Sequence, residues 1–122
     1  MKNNKYYRVY AEINLDAIVK NVDNLMALTK ENTGALAVVK ADGYGHGDVA
    51  VAKAVAQKVT GYAVATLDEA VNLRENGVKK PILVLGYVDP YEFDILVSHE
   101  ITATVFDVET AQLLADAARV QK

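Results

Sequence analysis

Four short apolar runs punctuate the chain: ALAVV (35–39), YAVAT (62–66), ILVLG (82–86) and TATVF (102–106). They are rich in alanine and β-branched residues and do not alternate apolar with polar positions, so they read as buried strands covered on both faces. Between them, apolar residues recur at helical spacing. Residues 15–29 set Leu15, Ile18, Val22, Leu25 and Met26 on one face. Residues 48–58 do the same with Val49, Ala52, Val55 and Ala56, and Val59 lies just beyond. A third helix opens with Thr66 and Glu69 at capping-box spacing, and Gly77 suits its stop. A fourth opens at Asp89-Pro90, an N-cap followed by proline at the first helical position. A fifth starts at Asp107 and is expected to bury Val108, Ala111, Leu114 and Ala118.

The pattern is therefore a leading segment (Tyr7–Leu15, with a strand over Tyr7–Ile13), a helix, and four βα units. Such alternation implies an α/β fold with a parallel sheet and right-handed crossovers. Two closures are open. One is a doubly wound sheet; the other is a (β/α)8 barrel, which takes about 250 residues and eight strands. Four units are half of that. No linker, low-complexity tract or second domain is visible in the 122 residues, so residues 1–122 read as one domain.

Composition changes this picture only by exclusion. Hydrophobic residues make up 52% and charged residues 24%, a globular balance. The formal net charge of −3 provides no basic stripe, which argues against nucleic acid or an anionic membrane as partner. The absence of cysteine excludes disulfide scaffolds and thiolate metal sites, and no metal is expected. The opening MKNNKYYRVYAEI lacks the apolar core of a secretory signal, and no run approaches the roughly 20 apolar residues of a membrane span. The expected location is cytoplasmic.

Chemistry concentrates in AVVKADGYGHG (37–47). Lys40 ends the first strand, and active sites of parallel α/β folds gather at the C-terminal strand ends. An amine beside apolar strand residues is partly desolvated, which favours the neutral form that attacks an aldehyde or ketone. A lone strand-end lysine more often reaches into solvent. Gly43, Gly45 and Gly47 let the following loop turn sharply and approach a ligand. The spacing is G-x-G-x-G, so dinucleotide and P-loop readings fail. The loop nevertheless opens a helix, where backbone amides attract anions, and Tyr44 could add a hydroxyl to a phosphate. A glycine-rich turn with a packed tyrosine explains the same residues.

VVKADGYGHG resembles the pyridoxal-phosphate signature of alanine racemases almost letter for letter. YAEINLDAIVKNVDNL, YAVATLDEAVNLRENGVKKPILVLG and ITATVFDVETAQLL resemble further stretches of that family, in the same order. The resemblance runs from Val9 to about Leu114. It implies the N-terminal half of a (β/α)8 TIM-type barrel: four βα units plus a leading strand and helix. It also implies a pyridoxal-phosphate enzyme that interconverts L-alanine and D-alanine and works as a homodimer. By position, Lys40 matches the lysine that carries the cofactor as an internal aldimine and acts as base on one face of the substrate. Tyr44 matches the tyrosine that meets the cofactor phosphate. Val38 and Leu85 match apolar residues beside the cofactor. Asp42 and His46 match motif positions without a chemical step: Asp42 as a brace for the loop, His46 as a hydrogen-bonding loop residue. His99 is read as structural, at a helix end where a cation suits the dipole. Asp68, Glu69, Arg74 and Glu75 are read as a solvated helix face, and Arg74 is given no catalytic role.

In the family, the second base is a tyrosine of a C-terminal β domain, supplied by the other subunit. No match to it, to the arginines around the cofactor or to later strands occurs before Lys122. The expectation is thus an N-terminal fragment: a partial domain without the C-terminal half-barrel and β domain, inactive alone. Its uncovered sheet face and unpaired edges predict self-association. A serine racemase of the same family, or a non-catalytic module that binds pyridoxal phosphate or assembles with partners, are the alternatives.

Overall fold

The computed structural model describes residues 8–121. Its elements follow in the order α1 (Leu15–Met26), β1 (Leu36–Val38), α2 (Lys40–Gly45), α3 (Asp48–Ala54), β2 (Gly61–Val64), α4 (Leu67–Glu75) and β3 (Ile82–Val84). A 3-10 turn (Pro90–Glu92), α5 (Phe93–Ser98), β4 (Thr102–Ala103) and α6 (Val108–Val120) complete it.

The four strands form one parallel sheet in the order β1-β2-β3-β4. Sequential order is what a singly wound barrel arc requires, because each crossover moves one strand in the same direction. A doubly wound sheet reverses direction at a switch point, and that alternative is excluded. The register runs Val38↔Ala63↔Leu83↔Thr102 on one face and Ala37↔Tyr62↔Ile82 on the other.

The second of these faces carries the core. Tyr62, Val64, Ile82 and Val84 are buried against Val51, Ala52 and Val55 of the α3 segment, Leu67, Ala70 and Leu73 of α4, and Phe93 and Leu96 of α5. Each fully buried aliphatic side chain contributes about 1.5–3 kcal/mol. Tyr62 donates its hydroxyl to the Ala52 carbonyl at 2.6 Å, and its burial pushes the phenol above its usual value.

Among the described residues, the other face is left partly open. Leu36 and Val38 of β1 are 48% and 43% exposed, and Leu85 is 43% exposed. Coverage of both faces, expected from the unbroken apolar runs, therefore holds for β2, which is buried throughout, and fails at β1. The runs record an inner face built to be enclosed.

Helix boundaries follow the chemistry of their ends. Asn14, Thr66, Asp89 and Asp107 cap α1, α4, the 3-10 turn and α6 with side-chain oxygens. The Thr66–Glu69 capping box is complete, and Gly77 takes a φ of +87° after α4. Elements are shorter than the hydrophobic pattern predicts: the helix at 48–58 ends at Ala54, and the fourth strand spans Thr102–Ala103. Of the expected leading strand (Tyr7–Ile13), Tyr7 lies outside the described residues, and residues 8–13 belong to no strand. In α6, Val108 is 86% exposed rather than buried, while Ala111, Leu114 and Ala118 are half-buried. No helix among the described residues is long and apolar enough to cross a membrane.

Candidate functional site at the C-terminal strand ends

β1 delivers the chain to the site. Val39 is buried on the helix side, its amide donating to the Ala63 carbonyl at 2.9 Å. Lys40 follows at the C-terminal end of the sheet, half-buried. The backbone then does something rare. Ala41, Asp42, Gly43 and Tyr44 all lie in the left-handed region, with φ of 52°, 54°, 60° and 56°. Left-handed helical backbone costs about 1–2 kcal/mol per residue bearing a Cβ, and only Gly43 escapes it. α2 is a single left-handed turn.

Several contacts hold this turn. The Gly43 amide donates to the Val39 carbonyl and the Gly47 amide to the Asp42 carbonyl, both at 2.9 Å. Asp42 Oδ1 accepts from the Asp48 amide at 3.2 Å, bracing the loop onto the start of α3. His46 Nδ1 lies 3.1 Å from both the Gly43 and Tyr44 carbonyls. Gly43 is buried, and a Cβ there would sit 3.2 Å from the Asp48 amide nitrogen. Asp42 and His46 thus serve the loop, as the sequence suggests.

The turn brings Tyr44 back over Lys40. The Lys40 Nζ lies 6.0 Å from the centre of the Tyr44 ring, within cation–π range. Among the described residues the amine makes no hydrogen bond or ion pair. Tyr44 is 59% exposed. Val38 lies on the uncovered sheet face. Leu85 follows β3 by one residue, its amide still donating to the Val64 carbonyl at 2.8 Å, and it shares the face of Leu83. The structure therefore pairs Lys40 with Tyr44 and sets Val38 and Leu85 on the bare apolar face. Beside Leu85, Gly86 permits close strand approach: a Cβ there would stand 2.5 Å from the Ala65 carbonyl oxygen.

One member of the expected solvated helix face is in fact part of this rim. Glu69 Oε1 accepts from the Ala41 amide at 2.7 Å, and Oε2 accepts from the amides of Ala65 at 2.7 Å and Thr66 at 3.3 Å. Burial alone would raise this carboxyl; the amides of Ala41, Ala65 and Thr66, with the charge of Lys40, hold it below its ordinary value. The capping-box spacing was the available signal, since it already folds the Glu69 carboxylate back over the opening of α4. Arg74 is also no solvated residue: it donates to four backbone carbonyls at the opposite, N-terminal end of the sheet. His99 caps α5, with Nδ1 2.9 Å from the Ile95 carbonyl. No group of three or more His, Cys, Asp or Glu residues that could hold a metal exists among the described residues.

An amine unpaired among the described residues, a phenol ring near it and apolar residues on the adjoining sheet face suit a covalently held aromatic aldehyde. The family model for the alanine racemase N-terminal domain matches residues 13–122. The chain belongs to the alanine racemase family. It is 41% identical over 120 residues to alanine racemase 1 of Oceanobacillus iheyensis, covering 98% of this chain and 32% of that protein. The alanine racemase structure of Clostridium difficile 630 superposes with a TM-score of 0.91 at 41% identity, covering 95% of this chain and 31% of that one. A histidine racemase of Leuconostoc mesenteroides superposes with a TM-score of 0.78 at 29% identity, over 88% of this chain and 29% of its own. The fold is that of the N-terminal barrel domain of alanine racemases, and the chain spans about a third of the length of these relatives.

Proposed function

We propose that this chain supplies the cofactor-lysine half of a pyridoxal-phosphate-dependent alanine racemase, as a single partial domain covering residues 1–122. The observation that carries the reading is the position of Lys40: an amine at the mouth of the sheet, unpaired among the described residues and 6.0 Å from the Tyr44 ring. Lys40 fits the aldehyde of the cofactor, the Tyr44 hydroxyl fits its phosphate, and Val38 and Leu85 fit the apolar edge of its ring. Bound there, pyridoxal phosphate makes the α-proton of an amino acid acidic by accepting electron density into its ring.

In this reading Lys40 Nζ moves the α-proton on one face of the substrate. Racemisation needs a second group on the opposite face, and we assign it to residues outside this chain, in a homodimeric parent enzyme. The chain alone is then a binding half without turnover. The names of the alanine racemase relatives support alanine as the substrate of this reading, and a superposing structure named a histidine racemase makes a second amino acid worth testing.

The test is to mix the chain with pyridoxal phosphate, reduce with borohydride and map the adducts. Selective label at Lys40 supports the site; label spread evenly over the lysines refutes it. Incubation with L-alanine, L-serine and L-histidine should give no D-enantiomer from the chain alone. Substantial racemisation by the chain alone would overturn the assignment of the second group.

A further inference from the structure

Two features at the rim are more than the cofactor reading requires. The first is the left-handed turn, in which three Cβ-bearing residues, Ala41, Asp42 and Tyr44, adopt unfavourable backbone angles directly after Lys40. Such strain persists only where surrounding contacts over-determine it. The second is the reach of Glu69. A capping box needs one carboxylate oxygen on the N-cap amide, and Oε2 meets that need at Thr66 while also taking Ala65. Oε1 is left over, and it crosses to the Ala41 amide, 28 residues away in the chain, at 2.7 Å.

We propose that Glu69 is a positioning residue for Lys40: its carboxylate ties the amide following the lysine to the amides that open α4, locking the left-handed turn and with it the placement of the amine and the Tyr44 ring. The inference deepens the reading of Lys40 as the cofactor lysine and rests on it.

The geometry supports this in three ways. Ala41 is the first left-handed residue, so fixing its amide plane fixes where the turn begins and which way Lys40 leaves the strand. The acceptor is anchored at its other end by two amides of the β2–α4 junction, so the tie runs between neighbouring βα units rather than within a mobile loop. Glu69 also brings negative charge near the lysine without pairing with it. The amine is held in place and left available.

Glu69 itself need not touch cofactor or substrate, so its test must separate placement from general stability. Glu69→Ala and Glu69→Gln are compared with the unmodified chain and with Asp107→Ala. The last removes the N-cap of α6, where Asp107 accepts from the Thr110 amide, at the same end of the sheet but three strands along from β1. Two quantities are read: hydrogen exchange at the Ala41 amide, and the share of borohydride-fixed pyridoxyl label carried by Lys40. Glu69→Ala should speed exchange at Ala41 by at least about tenfold, as expected when an amide loses a charged acceptor, and lower the Lys40 share several-fold. Glu69→Gln keeps the shape but turns an NH2 donor against one amide, so it should fall between. It is also the decisive variant if Glu69→Ala does not fold. Asp107→Ala should lower the melting temperature and leave both readouts unchanged.

Unchanged exchange at Ala41 in the Glu69 variants overturns the proposal. So does an unchanged Lys40 share once Ala41 has opened, or an equal fall in that share in Asp107→Ala. Even labelling of the unmodified chain instead defeats the cofactor reading, and Ala41 exchange then decides the clamp on its own.

Discussion

Truncating Arg74 to alanine tests how the half-barrel is tied together at the end remote from Lys40. The guanidinium donates Nε to the His99 carbonyl at 2.8 Å, Nη1 to Val78 at 2.6 Å and Lys80 at 3.1 Å, and Nη2 to Glu100 at 2.9 Å. One side chain of α4 thus gathers the loops that enter β3 and β4. At about 1–1.5 kcal/mol net per bond, the upper part of the ordinary range and no more than the floor for a charged donor, the four are worth about 5 kcal/mol. Truncation restores about 2 kcal/mol of side-chain entropy to the folded state's ledger, and water reaches the half-buried carbonyls. The expected loss for Arg74→Ala is about 2–3 kcal/mol. Arg74→Lys should recover less than half, because an ammonium lacks the planar fork that meets carbonyls on three sides. Urea unfolding followed by circular dichroism measures this, with all proteins at one concentration so that self-association does not enter the comparison. A loss below about 0.5 kcal/mol for Arg74→Ala, or a lysine variant as stable as arginine, would refute the reasoning.

Gly86→Ala should cost about 1–3 kcal/mol by overpacking, since its Cβ would meet the Ala65 carbonyl oxygen at 2.5 Å; thermal unfolding measures it, and an unchanged melting temperature would contradict the close approach. The Glu69 carboxyl is held below its ordinary value, so by linkage its contribution to stability is present in full above the ordinary glutamate range and fades as pH falls through its lowered value. Stability measured between neutral and acid pH should therefore decline less steeply in Glu69→Gln than in the unmodified chain, and identical slopes would contradict the shift. The bare face of Leu36, Val38 and Leu85 predicts concentration-dependent self-association; light scattering that reports a compact monomer without binding of a hydrophobic dye would speak against it.

Much of the framework was legible from residue patterns. Thr66, Asp89 and Asp107 announced helix starts that the structure keeps, because capping is a local bargain between a side chain and the next few amides. The KADGYGHG loop singled out Lys40 and Tyr44, and the turn does bring them together. What pattern could not convey was long-range. Apolar runs marked β1 for enclosure without saying that no described element encloses it. Glu69 and Arg74 looked like ordinary surface charges of a helix because their acceptors and donors lie elsewhere in the chain, at Ala41, His99 and Glu100. The left-handed backbone at Ala41 was equally hidden, since alanine carries no sign of preferring it.

The separation of Ala41 from Glu69 also sets an order of events. Lys40 emerges before β2 and α4 exist, and no nearer residue offers the Ala41 amide this acceptor. Until the second unit has docked against the first, only the turn's own local contacts oppose its relaxation to ordinary right-handed or extended backbone. On the proposed reading, the Lys40 amine is thus fully placed only after the second unit has docked. Pulse-labelled exchange during refolding should protect Ala41 no sooner than the amides of α4; earlier protection would show that the turn forms on its own.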